Sequence, residues 1–240
     1  GIVASWGLGS LVAFLISVIF LAPRAIPNYV LAFETGARLV RRAWGFSGLS
    51  YVSSIVGASP KYVMPLIVIN ALGPEENGYF YIAWAMASVL HYIPGSVAQS
   101  LFAEGSNDRR TVRHNVGRAF QIGFAILLPC IAILLLFGDK ILLAFGQTYS
   151  DRSLQVLHVL VLVGIPSTIE RIYFAVLRVY GKVMEVLVWR IAITTAVLSA
   201  SAYAVGVGGL EGIGWAVLGV HCAVASLILV MRWQVWLPRK

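Results

Sequence analysis

The chain has 240 residues, of which 59% are apolar and only 12% are charged, against about 25% charged residues in an ordinary soluble domain. This composition excludes a soluble globular enzyme, a disordered chain and a nucleic-acid-binding domain. The net charge of +8 does not indicate a nucleic-acid partner, because the basic residues lie in short clusters between long apolar runs, as they do in membrane proteins.

Seven apolar runs are long enough to cross a bilayer, whose core of roughly 30 Å needs about 20 apolar residues in a helix. The runs are continuous and lack the strict alternation of a membrane β-barrel. The sequence therefore predicts an all-α integral membrane protein with seven transmembrane helices. The predicted spans, in chain order, are 2–22, 46–72, 79–102, 119–137, 154–177, 186–205 and 212–231.

The lysines and arginines between the spans alternate strictly from one side to the other. Of the 18 basic residues, 13 lie on one predicted side, two lie on the other, and three lie within spans. Because cytoplasmic loops carry the excess of Lys and Arg, the count predicts that Gly1 is outside and that Lys240 is cytoplasmic. We expect a multi-pass protein of the plasma (inner) membrane.

Lys61 lies near the middle of the second span, 15 residues from its cytoplasmic end and 11 from the other. A lysine at that depth costs roughly 2.5–3.5 kcal/mol on insertion scales, so it needs either an ion-pair partner or a hydrated cavity. Glu170 and Arg171 lie within the fifth span. Adjacent residues of a helix do not share a face, so one is expected at the cavity and the other in an internal pair. Arg190, four residues into the sixth span, is expected to reach the interface.

Two consecutive spans carry polar residues at helical spacing, which places them on one face of each helix. Ser54 and Lys61 are seven residues apart in the second span, and Tyr92, Ser96 and Gln99 follow one another at helical intervals in the third. Such residues pack one helix against another or line a shared hydrated cavity. The central lysine favours the cavity.

No residue pattern indicates catalysis or a cofactor. His91, His158 and His221 lie singly on different spans, without the spacing of metal ligands. The glycine-rich stretch 206–219 follows no strand, so it is not a nucleotide-binding fingerprint. We predict no metal site, no cofactor and no catalytic residue.

Three stretches resemble the polysaccharide-unit (lipid-linked oligosaccharide) flippases of the multidrug/oligosaccharidyl-lipid/polysaccharide exporter superfamily. Asn70–Phe80 (NALGPEENGYF), followed by YIAWAMASVL, is similar to a hairpin of that family. Ser96–Ser106 (SVAQSLFAEGS) and Gly209–Ala216 (GLEGIGWA) are similar to two others. The resemblance covers roughly 46–236 and is one of spans and turns.

The resemblance implies a two-lobe exporter with six helices in each lobe and both termini in the cytoplasm. Residues 1–22 would be the last helix of an N-terminal lobe whose first five helices are missing from this chain. Residues 23–45 would be the cytoplasmic linker between the lobes, and 46–240 would be the C-terminal lobe. The orientation from charge alone agrees with this plan.

The resemblance also implies that lipid-linked sugar units move from the cytoplasmic to the outer leaflet by alternating access, in cell-envelope polysaccharide or lipopolysaccharide synthesis. Lys61 and Arg171 would attract an anionic headgroup, and polar side chains would bind sugar hydroxyls. The bilayer and the missing lobe are the other expected partners. The candidate substrate-binding residues are Lys61, Arg171, Glu170, Ser54, Tyr92, Ser96 and Gln99.

Three alternatives compete with a flippase. A cation-coupled multidrug antiporter of the same superfamily is expected to use carboxylates, and Glu170 is the one acidic residue well inside a span. A membrane-embedded polysaccharide polymerase or acyltransferase usually needs a large outer loop or a His/Asp centre. A retinal protein needs a lysine in its last helix, and 212–231 contains none.

Overall fold

The structure, a computed structural model, describes residues 2–25 and 37–236, and the regular elements in those ranges are all helices. Long apolar runs without strand alternation give this result, so the all-helical prediction is confirmed for the described residues. In chain order the elements are α1 (Ile2–Ile16), a π-helical segment (Ser17–Leu21), α2 (Ala22–Ala25), α3 (Ala37–Leu72), α4 (Pro74–Asn107), α5 (Val112–Leu143), α6 (Gln147–Leu162), α7 (Gly164–Val179) and α8 (Val183–Trp236).

The chain divides into two compact units, Gly1–Gly45 and Phe46–Lys240. The first contains α1, the π-helical segment and α2, and several of its apolar side chains, such as Leu8 and Phe14, are more than half exposed. Of the predicted linker 23–45, residues 26–36 lie outside the described residues and 37–45 form the first turns of α3. The roles of these segments in a two-lobe exporter stay predictions.

Four helical stretches of the described residues are long and apolar enough to cross a membrane. They are Ser47–Leu72, Val112–Leu143, Gln147–Val179 and Val183–Met231. Together with the composition, they make the chain a multi-pass membrane protein. The predicted spans 2–22 and 79–102 also fall in helical segments, but the total of seven spans stays a prediction.

α6 and α7 form one nearly continuous central helix, interrupted only at Val163, whose φ and ψ remain helical. This helix is far more buried than the other long apolar helices. In its apolar 18-residue stretch 78% is buried inside the protein, against 17–28% in the corresponding stretches of the others. It contacts α4, α5 and α8. Residues on all its faces are therefore held by neighbouring helices.

α8 contains two arms joined at Gly209. Gly209 has φ 56° and ψ −140°, which breaks the helix. The carbonyl oxygen of Ala204 would lie only 2.5 Å from a Cβ placed on Gly212, although eight residues of straight helix span about 12 Å. The chain therefore reverses, and the two arms, 183–208 and 210–236, contain the predicted spans 186–205 and 212–231.

The connections alternate between two ends of the second unit. At one end, the guanidinium of Arg152 lies 3.5 Å from the carboxylate of Glu76, so the α3–α4 and α5–α6 connections are neighbours. At the other end, Gly105 packs against Val112 and Val179, so the α4–α5 and α7–α8 connections are neighbours. Which end is cytoplasmic stays a prediction.

Apolar packing differs between these two ends. We call the first the packed end, and its core includes Met64, Val68, Phe80, Leu157 and Ile213, none of which is exposed. At this end α3, α4, α6 and α8 all contribute to one core. A second apolar cluster, which includes Ala98, Val112 and Ile172, comes from α4, α5 and α7. The described residues of α3 and α8 contribute nothing to it, and a cavity lies between these helices.

Candidate functional site

A cavity of about 510 Å³ lies among α3, α4, the central α6–α7 helix and both arms of α8. Each helix lines it with residues three or four positions apart, which is the spacing of one helical face. α4 gives the longest stripe, from Trp84 to Gln99. The polar and charged residues of the lining are Ser54, Lys61, Ser88, His91, Tyr92, Ser96, Gln99, Ser167, Glu170, Arg171, Arg190, Thr194 and His221.

The seven residues that the sequence singled out all line this one cavity. They are Lys61, Arg171, Glu170, Ser54, Tyr92, Ser96 and Gln99. The two polar stripes of the second and third spans therefore face a common space. Their role as substrate contacts stays a prediction.

Three cations of the cavity wall lie close to uncharged groups, and of these Lys61 is exposed. The guanidinium of Arg190 contacts Gly57 and lies 5.6 Å from the centre of the Phe174 ring. That of Arg171 lies beside Gly95, where an added Cβ would be 3.2 Å from Nη1. The ammonium of Lys61 lies 5.9 Å from the Tyr62 ring.

None of these three cations has a carboxylate oxygen within 4 Å in the part of the chain that the structure describes. The carboxylate of Glu170 is the only acidic group among the described residues that line the cavity. Positive charge therefore exceeds negative charge in the wall, and the donor groups of Lys61, Arg171 and Arg190 are available to an anion.

Arg190 corrects the sequence interpretation. It was expected to extend to the membrane interface, but it lies in the cavity wall between Gly57 of α3 and Phe174 of α7. Gly57 has no side chain and so leaves room for the guanidinium. Depth along the helix alone could not reveal a neighbour supplied by a distant part of the sequence.

Glu170 pairs with a histidine and not with Lys61. Nδ1 of His221 lies 2.9 Å and 3.1 Å from the two carboxylate oxygens of Glu170. With its proton on Nδ1, the imidazole donates to the carboxylate and connects α7 to the second arm of α8. The Glu170 side chain is only 6% exposed, so this bond satisfies a carboxylate that water barely reaches.

His91 and His221 are the wall residues that sequence reasoning underestimated. The sequence gives each a span of its own, with His91 beside the polar stripe of the third span, and the structure places both in the cavity lining. Nε2 of His91 is buried without a hydrogen-bond partner in the described part of the chain. His91 directly precedes Tyr92, so the stripe on the third span was a signal for it. His221 had no such signal, because its partner lies 51 residues away.

The serines of the wall present hydrogen-bond acceptors to the cavity. The hydroxyl of Ser54 donates to the carbonyl of Ser50 at 2.9 Å, and that of Ser96 donates to the carbonyl of Tyr92 at 3.0 Å. Each hydroxyl oxygen keeps its acceptor lone pairs while its proton is bound within the helix. A ligand with hydroxyl donors and an anionic group matches this wall.

One curated protein similar to this chain is the Shigella flexneri protein named "Putative O-antigen transporter". The two are 28% identical over 145 residues, which is 59% of this chain and 35% of the relative. The matched stretch thus spans about a third of the relative's length. No family model matches the chain, and no solved structure matches it.

Proposed function

We propose that this chain is part of a membrane transporter that moves lipid-linked oligosaccharide or polysaccharide units from the cytoplasmic to the outer leaflet by alternating access. The chain contributes the C-terminal lobe, 46–240, and the last helix of the preceding lobe. It acts as a flippase of the multidrug/oligosaccharidyl-lipid/polysaccharide exporter superfamily and not as an enzyme. Its site is the cavity lined by α3, α4, α7 and α8.

Three cations of the cavity wall support this proposal, because none of them has a carboxylate partner among the described residues. Lys61, Arg171 and Arg190 lie among apolar helices, where a charge without a partner is costly. Among the described residues of the lining, Glu170 supplies the one carboxylate, and it binds His221. An anionic substrate headgroup would offset this cost while it is bound.

The remaining features of the wall fit the sugar part of such a substrate. Ser54 and Ser96 offer acceptors, and Tyr92 and Gln99 add hydrogen-bonding groups on the same α4 face. Tyr92 is 69% exposed, so its ring and hydroxyl are accessible to a bulky ligand. The name of the Shigella flexneri relative refers to transport of O-antigen, which supports a saccharide substrate here.

The central experiment is a flipping assay of the whole protein that contains this chain, reconstituted in vesicles with a fluorescent lipid-linked oligosaccharide. Lys61→Ala should insert normally but lose at least about 90% of transport, because removal of a charge-assisted hydrogen bond costs about 1.5–3 kcal/mol. The readout is the fraction of substrate that becomes accessible on the opposite leaflet over time.

Lys140→Ala is the matched control. Lys140 also lies over an aromatic ring, 5.4 Å from Phe137, but it is outside the cavity, so transport should stay within about twofold of the parent. Unchanged transport by Lys61→Ala would remove Lys61 from the site. Equal losses in both variants would indicate a general effect of lysine removal and contradict the proposed site.

A cation-coupled drug antiporter is the second candidate, and Glu170 is the observation that favours it. A buried carboxylate in a transporter cavity is a group that can bind a proton or Na⁺. In this case transport of a cationic drug should depend on a Na⁺ or H⁺ gradient and be lost in Glu170→Gln. Drug transport without such dependence would dismiss this candidate.

A further inference from the structure

The stripes that line the cavity on α4 and α7 continue beyond it by one helical turn. On α4 the next position of the stripe after Gln99 is Phe102, and on α7 the next position after Phe174 is Arg178. These two residues meet: the guanidinium carbon of Arg178 lies 5.5 Å from the centre of the Phe102 ring. Arg178 is partly exposed.

Arg178 repeats the geometry of Arg171 two turns further along the same pair of helices. Arg171 lies beside Gly95, and Arg178 lies over Phe102, so both arginines and both α4 partners are seven residues apart. Seven residues of helix rise about 10.5 Å and return to the same face. The two guanidiniums are therefore successive cations along one side of the α4–α7 helix pair.

Phe174 connects Arg178 to the cavity cations. Its ring lies beneath the guanidinium of Arg190, and its backbone carbonyl accepts a hydrogen bond of 3.4 Å from Nε of Arg178. In the described residues, Arg178 has no carboxylate within 4 Å. One face of its guanidinium rests on an aromatic ring, and the terminal N–H groups stay available to an anion.

We propose that Arg178 is an anion-binding station one helical turn beyond the cavity, which receives a phosphate-bearing headgroup before Arg171 and Arg190 bind it. Arg178 lies where α7 ends, beside the α4–α5 connection, so a ligand that approaches from that end meets it first. The station raises the rate of entry, because a cation along the path attracts the approaching anion. This inference rests on the proposed function, since it assumes an anionic ligand in the cavity.

The test is rapid-mixing binding of fluorescent farnesyl diphosphate to the whole protein in detergent. Arg178→Gln should slow association about tenfold and change the equilibrium Kd less than about threefold, because a station on the path affects rates more than the final complex. Arg190→Gln should raise Kd about tenfold or more, because it removes a contact of the final site.

Two further variants separate steering from a structural role of Arg178. Arg178→Lys keeps the charge but loses the planar stack and the Nε donor, so association should recover to within about threefold of the parent. Lys182→Gln removes the same charge from the adjacent connection, where Lys182 pairs with Glu185 at 2.7 Å. It should leave both association and Kd unchanged.

The possible outcomes distinguish the two proposals. If Arg178→Gln binds at the parental rate, or if Arg178→Lys is as slow as Arg178→Gln, the station is wrong. If Arg178→Gln raises Kd as much as Arg190→Gln does, Arg178 belongs to the final site and the station is again wrong. If farnesyl diphosphate does not bind the parent, or if Arg190→Gln leaves Kd unchanged, the proposed cavity function itself fails.

Discussion

The packed end and the cavity are built from the same helices. The packed end has an apolar core, whereas the cavity is lined by charged and polar side chains. At the packed end, Met64 of α3, Phe80 of α4 and Ile213 of α8 meet in one apolar core. One to four turns further along, the same helices present Lys61, Tyr92 and His221 to a space of about 510 Å³. Side-chain size and polarity along one helical face therefore decide where the helices pack closely.

Glycines mark the positions where the cavity brings cations against backbone. Gly57 and Gly95 accommodate the guanidiniums of Arg190 and Arg171 where a larger residue would meet them. At the packed end, large buried side chains such as Phe80 and Met64 fill the space between the helices. We therefore expect changes at the packed end to alter stability and changes at the cavity glycines to alter anion affinity.

Phe80→Ala should have the largest effect, because it empties a fully buried aromatic site in the packed end. We expect the free energy of unfolding in detergent to fall by about 3–5 kcal/mol, measured by reversible denaturation. The diphosphate affinity of the folded fraction should stay within about twofold. Tyr81→Ala, at a neighbouring side chain that is 57% exposed, is the control and should cost less than about 0.5 kcal/mol. Similar losses in both would contradict the contrast between buried and exposed faces.

His221→Ala should destabilise the protein by about 2 kcal/mol, because it leaves the Glu170 carboxylate without its donor in a site that water barely reaches. The same unfolding measurement tests this. The double variant Glu170→Gln/His221→Ala should recover most of the loss, since a neutral amide costs less to bury than a carboxylate. A double variant that is as unstable as His221→Ala would show that packing, and not the buried charge, is responsible.

Gly57→Ala should weaken diphosphate binding about tenfold, because its methyl group displaces the guanidinium of Arg190 and removes a charge-assisted contact. Stability should not fall, since the flexible end of an arginine can move and alanine favours a helix by up to about 1 kcal/mol. Gly48→Ala gives the same gain in helix propensity with no atom within 4 Å of the new methyl group. Isothermal titration of both variants should show a change in affinity for Gly57→Ala alone.

Gly95→Ala should have the smallest effect of the series. Its methyl group would lie 3.2 Å from Nη1 of Arg171, so a shift of a few tenths of an ångström relieves the contact. We expect Kd to rise only about twofold to threefold in the same titration. A loss as large as that of Gly57→Ala would indicate that Arg171 has no freedom to move.

The sequence predicted those parts of the site that depend on position along a single helix. Helical spacing placed Ser54 and Lys61 on one face of α3, and Tyr92, Ser96 and Gln99 on one face of α4. The cost of a central lysine pointed to a cavity, and the structure places all seven candidates around one. These inferences needed only the period of a helix and the depth of a bilayer.

Contacts between helices that are distant in the sequence could not be predicted from helical spacing. The bond between Glu170 and His221 depends on the reversal of α8, which returns the second arm to α7. The position of Arg190 depends on Gly57, more than a hundred residues earlier in the chain. Helical periodicity describes which residues share a face, but it does not say which faces meet.

At the reversal of α8, Gly209 has a backbone conformation that is the mirror image of one common for L-residues. Reversing the signs of the Gly209 angles, φ 56° and ψ −140°, gives the polyproline II conformation of ordinary L-residues, which has φ of about −75° and ψ of about 145°. A D-amino acid at position 209 would thus adopt the native backbone without strain, whereas an L-amino acid would be strained there. In a chain assembled by chemical ligation, the handedness of this one residue would decide whether the two arms of α8 fold back on each other.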